Sequence, residues 1–327
     1  MLHTYTAQNF QEAYKTMLYD LMNEGLTTSP RGMETKEFIP CVFQIQNPLS
    51  RIIALESRKM NLFYAMIETL WYMNGDETVE PLAHYNKAMV NFSDDGKTFN
   101  GAYGARLIKK NQALDKSQFG LVYDKLSKDS SSRQAVAIIW DPWRDHQPTK
   151  DVPCTVGFIF TIREDKLNMT TIMRSNDIVL GTTYDVFAFT IFHEFLARKL
   201  GVGLGTYTHI ANSFHIYDRH YEQALEMIKD TTAPILMPEM PETSWDMFTK
   251  LYELEHFVRT ADDLYLTSIS KINYGEYWSQ WGYMILLHKA IKLGHMKSVQ
   301  NIYDMLIPQY RFMVKRAIQK VNTKSNE

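Results

Sequence analysis

Cysteine is nearly missing from this chain of 327 residues, which has only Cys41 and Cys154. Two thiols cannot build the disulfide framework of a small secreted domain, and they fit a reducing compartment better than an oxidising one. The ten histidines include no HExxH pair, and no CxxC occurs. The spacings that ordinarily hold zinc are therefore missing, and no metal is expected. A formal charge of −2 gives no general attraction to nucleic acid or an anionic membrane, although a local basic pocket remains compatible with it. No apolar run approaches the roughly 20 residues that span a bilayer, and Met1 to Phe10 lacks a basic-then-apolar signal pattern. Internal repeats, low-complexity segments and long linkers are also missing. Together these absences lead to the expectation of a cytoplasmic protein that binds neither membrane nor nucleic acid.

What remains is an ordinary globular composition, 45% hydrophobic and 22% charged. The length suffices for a substantial core, as one large domain or two smaller ones. Apolar spacing predicts helices over 9–23, 61–74 and 185–200, a short one ending near Met227, and a helical pattern from Trp245 to Val321. Strands are predicted over 39–55, 135–140, 156–162, 167–173 and 209–217, with a turn at Asp94-Asp95-Gly96-Lys97 and an irregular link from Pro234 to Pro241. This order gives an α+β fold, with residues 1–244 forming one body and 245–327 a helical C-terminal extension packed on it.

Several residues in this frame carry chemistry. Cys154 sits between Pro153 and a strand, where its side chain faces a cleft or simply fills the core. As a thiolate it attacks an electron-poor carbon. Arg174-Ser175, within Met173-Arg174-Ser175-Asn176-Asp177, suits a phosphate, because a guanidinium joins charge to directed donors. Asp185 precedes a helical pattern, so it reads either as a helix N-cap or as a carboxylate aimed at a ligand. Glu68 lies on the flank of a helix whose stripe is Phe63, Met66, Ile67, Leu70 and Trp71. Burying a carboxylate there is expensive without pairing or function. His215-Ile216-Tyr217 is weak evidence alone, since both side chains commonly fill cores.

Taken in order, Pro153-Cys154, then Arg174-Ser175-Asn176-Asp177, Asp185 and His215-x-Tyr217 resemble the thymidylate synthase family. The branch that hydroxymethylates cytidylates is the nearest in pattern, because Thr155 follows the cysteine and Asp185 stands where thymidylate synthases carry asparagine. The resemblance covers about Arg31 to Pro241 and implies a thymidylate synthase-like fold, a large mixed β-sheet packed with helices. It implies a nucleoside monophosphate held by Arg31, Arg174, Ser175 and an Arg133 lent across a homodimer interface, where Gln134 replaces a second arginine. His215 and Tyr217 take the sugar 3′-hydroxyl, and Asp177 and Gly181 the folate side. Glu68 and Tyr103 join Cys154 and Asp185 in proton transfers. Phe92 is the candidate for the ring that shields the one-carbon unit in thymidylate synthases.

The implied co-substrate is 5,10-methylenetetrahydrofolate and the implied substrate dCMP, with CMP open. Cytosine presents an N3 acceptor and an N4 donor. A carboxyl group that accepts from N4 and shares a proton with N3 complements that edge. Against uracil, acceptor faces acceptor, at a cost of about 1–3 kcal/mol when buried. The implied product is a 5-hydroxymethyl nucleotide. The alternatives are a thymidylate synthase acting on dUMP and, from another class, a non-catalytic nucleotide- or RNA-binding relative.

Overall fold

A computed structural model describes residues 2–262 and 272–324. Part of the expected C-terminal helical pattern, at 263–271 and 325–327, lies outside the described residues. The strands are β1 (His3–Ala7), β2 (Leu26–Thr28), β3 (Thr35–Phe38), β4 (Cys41–Ile45), β5 (Ala135–Ile138), β6 (Thr155–Arg163), β7 (Lys166–Asp177) and β8 (Gly203–Tyr217). The helices are α1 (Phe10–Glu24), α2 (Leu62–Met73), α3 (Val79–Tyr85), α4 (Tyr103–Ile108), α5 (Gln118–Lys128), α6 (Pro142–Asp145), α7 (Thr182–Leu200) and α8 (Tyr221–Lys229). They are followed by α9 (Asp246–Thr260), α10 (Gly275–Leu293), α11 (Met296–Met305) and α12 (Pro308–Lys324).

All eight strands form one mixed sheet in the order β1-β4-β8-β7-β6-β5, with β3 also on β8 and β2 on β3. The expected large mixed sheet packed with helices is present. Its centre is the parallel pair β7 and β8, in which Ser175 lies opposite Ser213 and Asp177 opposite His215. Gly205 lets these strands approach, since a Cβ there would lie 2.4 Å from the Leu167 carbonyl oxygen. Three residues of the motif and the His215-x-Tyr217 pair thereby reach one end of the sheet together, where parallel strands commonly present ligands.

Several expected boundaries move. Only Cys41–Ile45 of the 39–55 stretch pairs with the sheet. Beyond it the backbone is satisfied by scattered partners, with Ser50 N–H on the Asn47 carbonyl at 3.1 Å, an isolated bridge from Ile52 to Ile235, Leu49 N–H on Asn47 Oδ1 at 3.2 Å and Ala54 N–H on Gln11 Oε1 at 2.7 Å. Apolar Ile52, Ile53 and Leu55 are buried there without strand alternation. The fourth and last predicted strands extend to Lys166–Asp177 and Gly203–Tyr217. Helix α7 starts at Thr182, three residues before the expected Asp185, and Gly181 occupies its N-cap position. The short strands β1 and β2 and the helices α3 to α6 carry too few periodic positions to stand out in the sequence.

Helix α1 follows its sequence closely. Asn9 Oδ1 caps it by accepting from Glu12 N–H at 2.9 Å, and Phe10, Ala13, Tyr14, Met17, Leu18 and Leu21 form its buried stripe. Helices α2 and α7 lie deeper and are apolar nearly all round. One flank meets the sheet and the other receives the C-terminal helices. Phe195 of α7 meets Phe248 of α9 edge to face at 5.1 Å, Phe248 meets Trp278 of α10 at 5.1 Å, and Trp281 lies 6.4 Å from Phe187. The apolar core runs continuously from the sheet into α9, α10 and α12. Among the described residues, no helix is long and apolar enough to cross a membrane.

Candidate functional site

Six elements converge where β7 and β8 end. Cys154 stands one residue before β6, and its backbone is pinned from α4: Tyr103 Oη accepts from the N–H groups of Cys154 and Thr155 at 3.1 and 3.3 Å. With two acceptances made, the phenol keeps its own proton to donate. Tyr103 in turn stacks on Tyr72 of α2, with centroids 5.5 Å apart. Arg174 reaches across from β7 and places Nη2 3.6 Å from Cys154 Sγ. Burial raises the thiol above its ordinary value and the Asp185 and Asp151 charges add to this, while the Arg174 charge and, more weakly, Arg31 oppose it. Cys41 is the contrast, because it lies in β4 with no charge beside it and burial pushes it up to about 12.

Two carboxyl groups lie on this side of the site, Asp185 acting on the thiol and Glu68 on Asp185. Glu68, 8% exposed, accepts a 2.6 Å hydrogen bond on Oε1 from Tyr64 one turn earlier in α2. Burial drives its pKa to about 8, the Tyr64 bond opposes this, and the Asp185 charge adds to it. Asp185, in the first turn of α7, is pushed to about 7 by burial, against which a hydrogen bond from Asn176 acts. Asn176 Nδ2 donates to Asp185 Oδ2 at 2.8 Å. The N-cap reading of Asp185 therefore fails: its carboxyl is turned inward to Asn176, while α7 begins at Thr182. Part of Asp185 and of Cys154 still reaches the cleft.

The anion-binding residues are brought together only in part. Arg174 is anchored by Nε on the Pro153 carbonyl and Nη2 on the Val152 carbonyl, both at 2.8 Å, which leaves Nη1 outward. Arg31 is exposed, in a one-turn 3-10 segment with φ 55°. Ser175 is half-buried between these and β8. Arg133 is not part of this cluster; it is exposed and lines a surface groove with Lys116, Lys125 and Lys128. His215 sits edge-on to Tyr217 at 5.2 Å, and Arg219 covers the Tyr217 ring at 4.2 Å.

Asp177 Oδ1, expected from the sequence to face the folate, accepts from Val179 and Leu180 N–H at 2.7 and 2.8 Å. Its Oδ2 is buried without a partner, as expected of an atom that waits for a ligand donor. Gly181 contributes by its lack of a side chain, because a Cβ there would lie 3.2 Å from both Asn176 Nδ2 and Asp185 Oδ2. Phe92 does not shield the site, being 50% exposed. Met89 of the same segment reaches in, its sulfur 3.2 Å from Tyr64 Oη.

Asn176, Tyr64 and Tyr72 escaped the sequence reading. Tyr64 was discoverable, since it lies four residues before Glu68 on the same helix face. Asn176 was not, because its partner lies across a strand-to-helix turn.

This geometry has counterparts. The family model described as Thymidylate synthase matches residues 12–258. A "Deoxyuridylate hydroxymethyltransferase" of Bacillus phage SP01 is 36% identical over 228 residues, 66% of this chain and 59% of the relative. Another so named, of Pseudomonas phage M6, is 32% identical and covers 72% of this chain and 67% of its own length. A "Putative thymidylate synthase" of Methanosarcina mazei is 28% identical over 68% of this chain and 93% of the relative. The chain thus spans about three fifths of the SP01 relative, and the hydroxymethyltransferases named here are deoxyuridylate enzymes, not cytidylate enzymes. The family match covers the cleft, β2 to β8 and most of α9 but stops short of α10 to α12, and on that match the chain belongs to the thymidylate synthase family.

Proposed function

We propose that the protein transfers a one-carbon unit to C5 of a cytidine monophosphate, dCMP in preference to CMP, and hydrates it to the 5-hydroxymethyl nucleotide. The observation that carries this reading is Asp185: a carboxyl group, one oxygen held by Asn176 and the other without a protein partner among the described residues, beside Cys154 and Glu68. The reading assigns Arg31, Arg174 and Ser175 to the phosphate, His215 and Tyr217 to the sugar, and Arg133 to the phosphate site of a second copy in a homodimer.

Cys154 Sγ, its thiolate favoured by Arg174, bonds to C6 of the pyrimidine. The C5–C6 electron pair is then free at C5, while Asp185 shares a proton with N3 and accepts from the N4 amino group. Methylenetetrahydrofolate, the one-carbon donor of this family, supplies the CH2 group when bound, with Asp177 Oδ2 available to accept from its pterin. C5 bonds that carbon and loses its proton through the Tyr103 and Glu68 network, and tetrahydrofolate departs, leaving an exocyclic methylene on the pyrimidine. Glu68, kept protonated near neutral pH by burial and the Asp185 charge and oriented by Tyr64, then delivers water. The hydroxyl bonds to the methylene, the C5=C6 bond re-forms and Cys154 leaves as thiolate. No oxidation is involved, so the folate product is tetrahydrofolate.

A second reading, 5-hydroxymethylation of dUMP, is favoured by the relatives' names and by the Asp185 pKa near 7. A neutral carboxyl group donates to uracil O4 and accepts from N3–H, whereas an ionised one repels O4. Mass spectrometry of products from mixed dCMP, CMP and dUMP, run from pH 6 to 9, separates the two. Hydroxymethylated cytidylate supports the first; product from dUMP alone at every pH overturns it. Asp185→Asn is expected to shift preference toward dUMP.

A further inference from the structure

Asn176 is buried, 3% exposed, and both ends of its amide are committed. Nδ2 donates to Asp185 Oδ2 at 2.8 Å, and Oδ1 accepts from Thr182 Oγ1 at 2.7 Å, a hydroxyl that also lies 2.9 Å from the Asp177 carbonyl oxygen. Thr182 is itself 0% exposed, in the first turn of α7. Turning the amide over would set its oxygen against the carboxyl oxygen, so an ionised Asp185 and the Thr182 hydroxyl together fix its orientation. Gly181 keeps the space above this pair free of a side chain.

Every other titratable group that faces Asp185 is an acid or a phenol or thiol. Glu68, Tyr64 and Tyr72 come from α2, Tyr103 from α4, Cys154 from the start of β6 and Tyr207 from β8. Asn176 Nδ2 is, among the described residues, the hydrogen-bond donor that reaches this carboxyl. It occupies Oδ2 from the protein side and fixes the carboxyl plane, so that Oδ1 is left for the substrate.

We propose that Asn176, held by Thr182, is a positioning residue that orients the Asp185 carboxyl and sets where its proton sits, and so governs which pyrimidine edge is accepted. This rests on the reading of Asp185 as the base-recognition residue. The donor favours the ionised form and opposes burial. Without it, the carboxyl is free to turn, and the fixed placement of Oδ1 against the pyrimidine edge that separates the two bases is lost.

The test is kcat/KM for dCMP and dUMP against pH, with nucleotide affinity and melting temperature, in Asn176→Ala, Asn176→Asp and Thr182→Val. For Asn176→Ala, the dCMP-over-dUMP ratio near pH 7.5 is expected to fall about tenfold, the scale of one hydrogen bond to a charged group. The pH midpoint is expected to move up. Thr182→Val keeps the shape and shifts both in the same direction, less far. Asn176→Asp, which sets two carboxyl groups together, shifts the midpoint furthest. Unchanged ratio and midpoint in a normally melting Asn176→Ala protein would overturn the proposal. If that variant does not fold, Thr182→Val decides by the same two readouts. If the wild type acts on dUMP alone, the cytidylate reading falls, and the midpoint shift on dUMP still tests Asn176.

Discussion

Two buried glutamates divide the molecule into a region built for stability and one built for chemistry. Glu194, in the middle of α7, is 0% exposed and meets Arg51 at 2.6 Å, while its other oxygen accepts from Met240 N–H at 2.6 Å. Glu68 in α2 is nearly as buried, but its hydrogen-bond partner is the phenol of Tyr64, and its charged neighbour is another acid, Asp185. A carboxylate given a guanidinium stays ionised and ties elements together. One given a phenol and a second carboxyl sits near neutrality, with a proton to give or take at pH 7. The C-terminal side repeats the first pattern, since Glu255 of α9 is paired with Arg259 at 2.9 Å and accepts from Tyr85 of α3 at 3.1 Å. The cleft holds the exceptions.

The comparison breaks most sharply at the thiol. Cys154→Ala is expected to lower turnover by about 10⁴-fold or more while nucleotide binding persists, measured by product formation beside equilibrium titration. Persistent turnover would remove covalent catalysis, and loss of binding alone would favour a binding module. Glu194→Ala should cost about 3–5 kcal/mol of stability, because it strands a buried Arg51. Denaturant unfolding measures this, and activity per folded molecule should change little. Glu68→Gln should invert that outcome, with turnover reduced about 10²-fold and stability kept.

The pH dependence of stability draws the same line between the two regions. Glu68 and Asp185 have folded pKa values of about 8 and about 7, raised above their ordinary values mainly by burial. Between the unfolded and folded values, the unfolded chain holds fewer protons, so their contribution to stability falls as pH rises from about 4 to about 8. Melting temperature against pH should show this slope, flattened in Glu68→Gln. An equal slope in both proteins would mean that Glu68 ionises normally.

The α2–α7 pair is where the two regions share a framework. Trp281 of α10 is 1% exposed and packs near Phe187, two residues after Asp185. Trp281→Ala is expected to cost about 3–5 kcal/mol, read by denaturant unfolding. A cost near zero would show that α10 is an appendage and not part of the core that holds α7.

Much of the site was legible because its residues cluster in short strings. Pro153-Cys154, the Arg174 to Asp177 run and His215-x-Tyr217 lie on β6, β7 and β8, and strands bring such strings to one sheet end with little rearrangement. The helix through Glu68 was legible from its apolar stripe. The 39–55 strand was misread because continuous burial without alternation looks alike in a buried loop and a buried strand. Phe92 was misplaced, since which side of a 3-10 turn faces inward depends on what packs against it, and there it was Met89.

By itself the sequence determined the family pattern, and with it which thiol is proposed as nucleophile and which carboxyl as base reader, because these depend on residue type and local order. Tertiary structure alone decided that Glu68 and Asp185 sit near neutrality, that Arg174 leans on the thiol, and that Asn176 holds Asp185. It alone also joined the helices beyond the family match to the core. Protonation depends on how much water and charge surround a group, and those surroundings come from segments far apart in the chain.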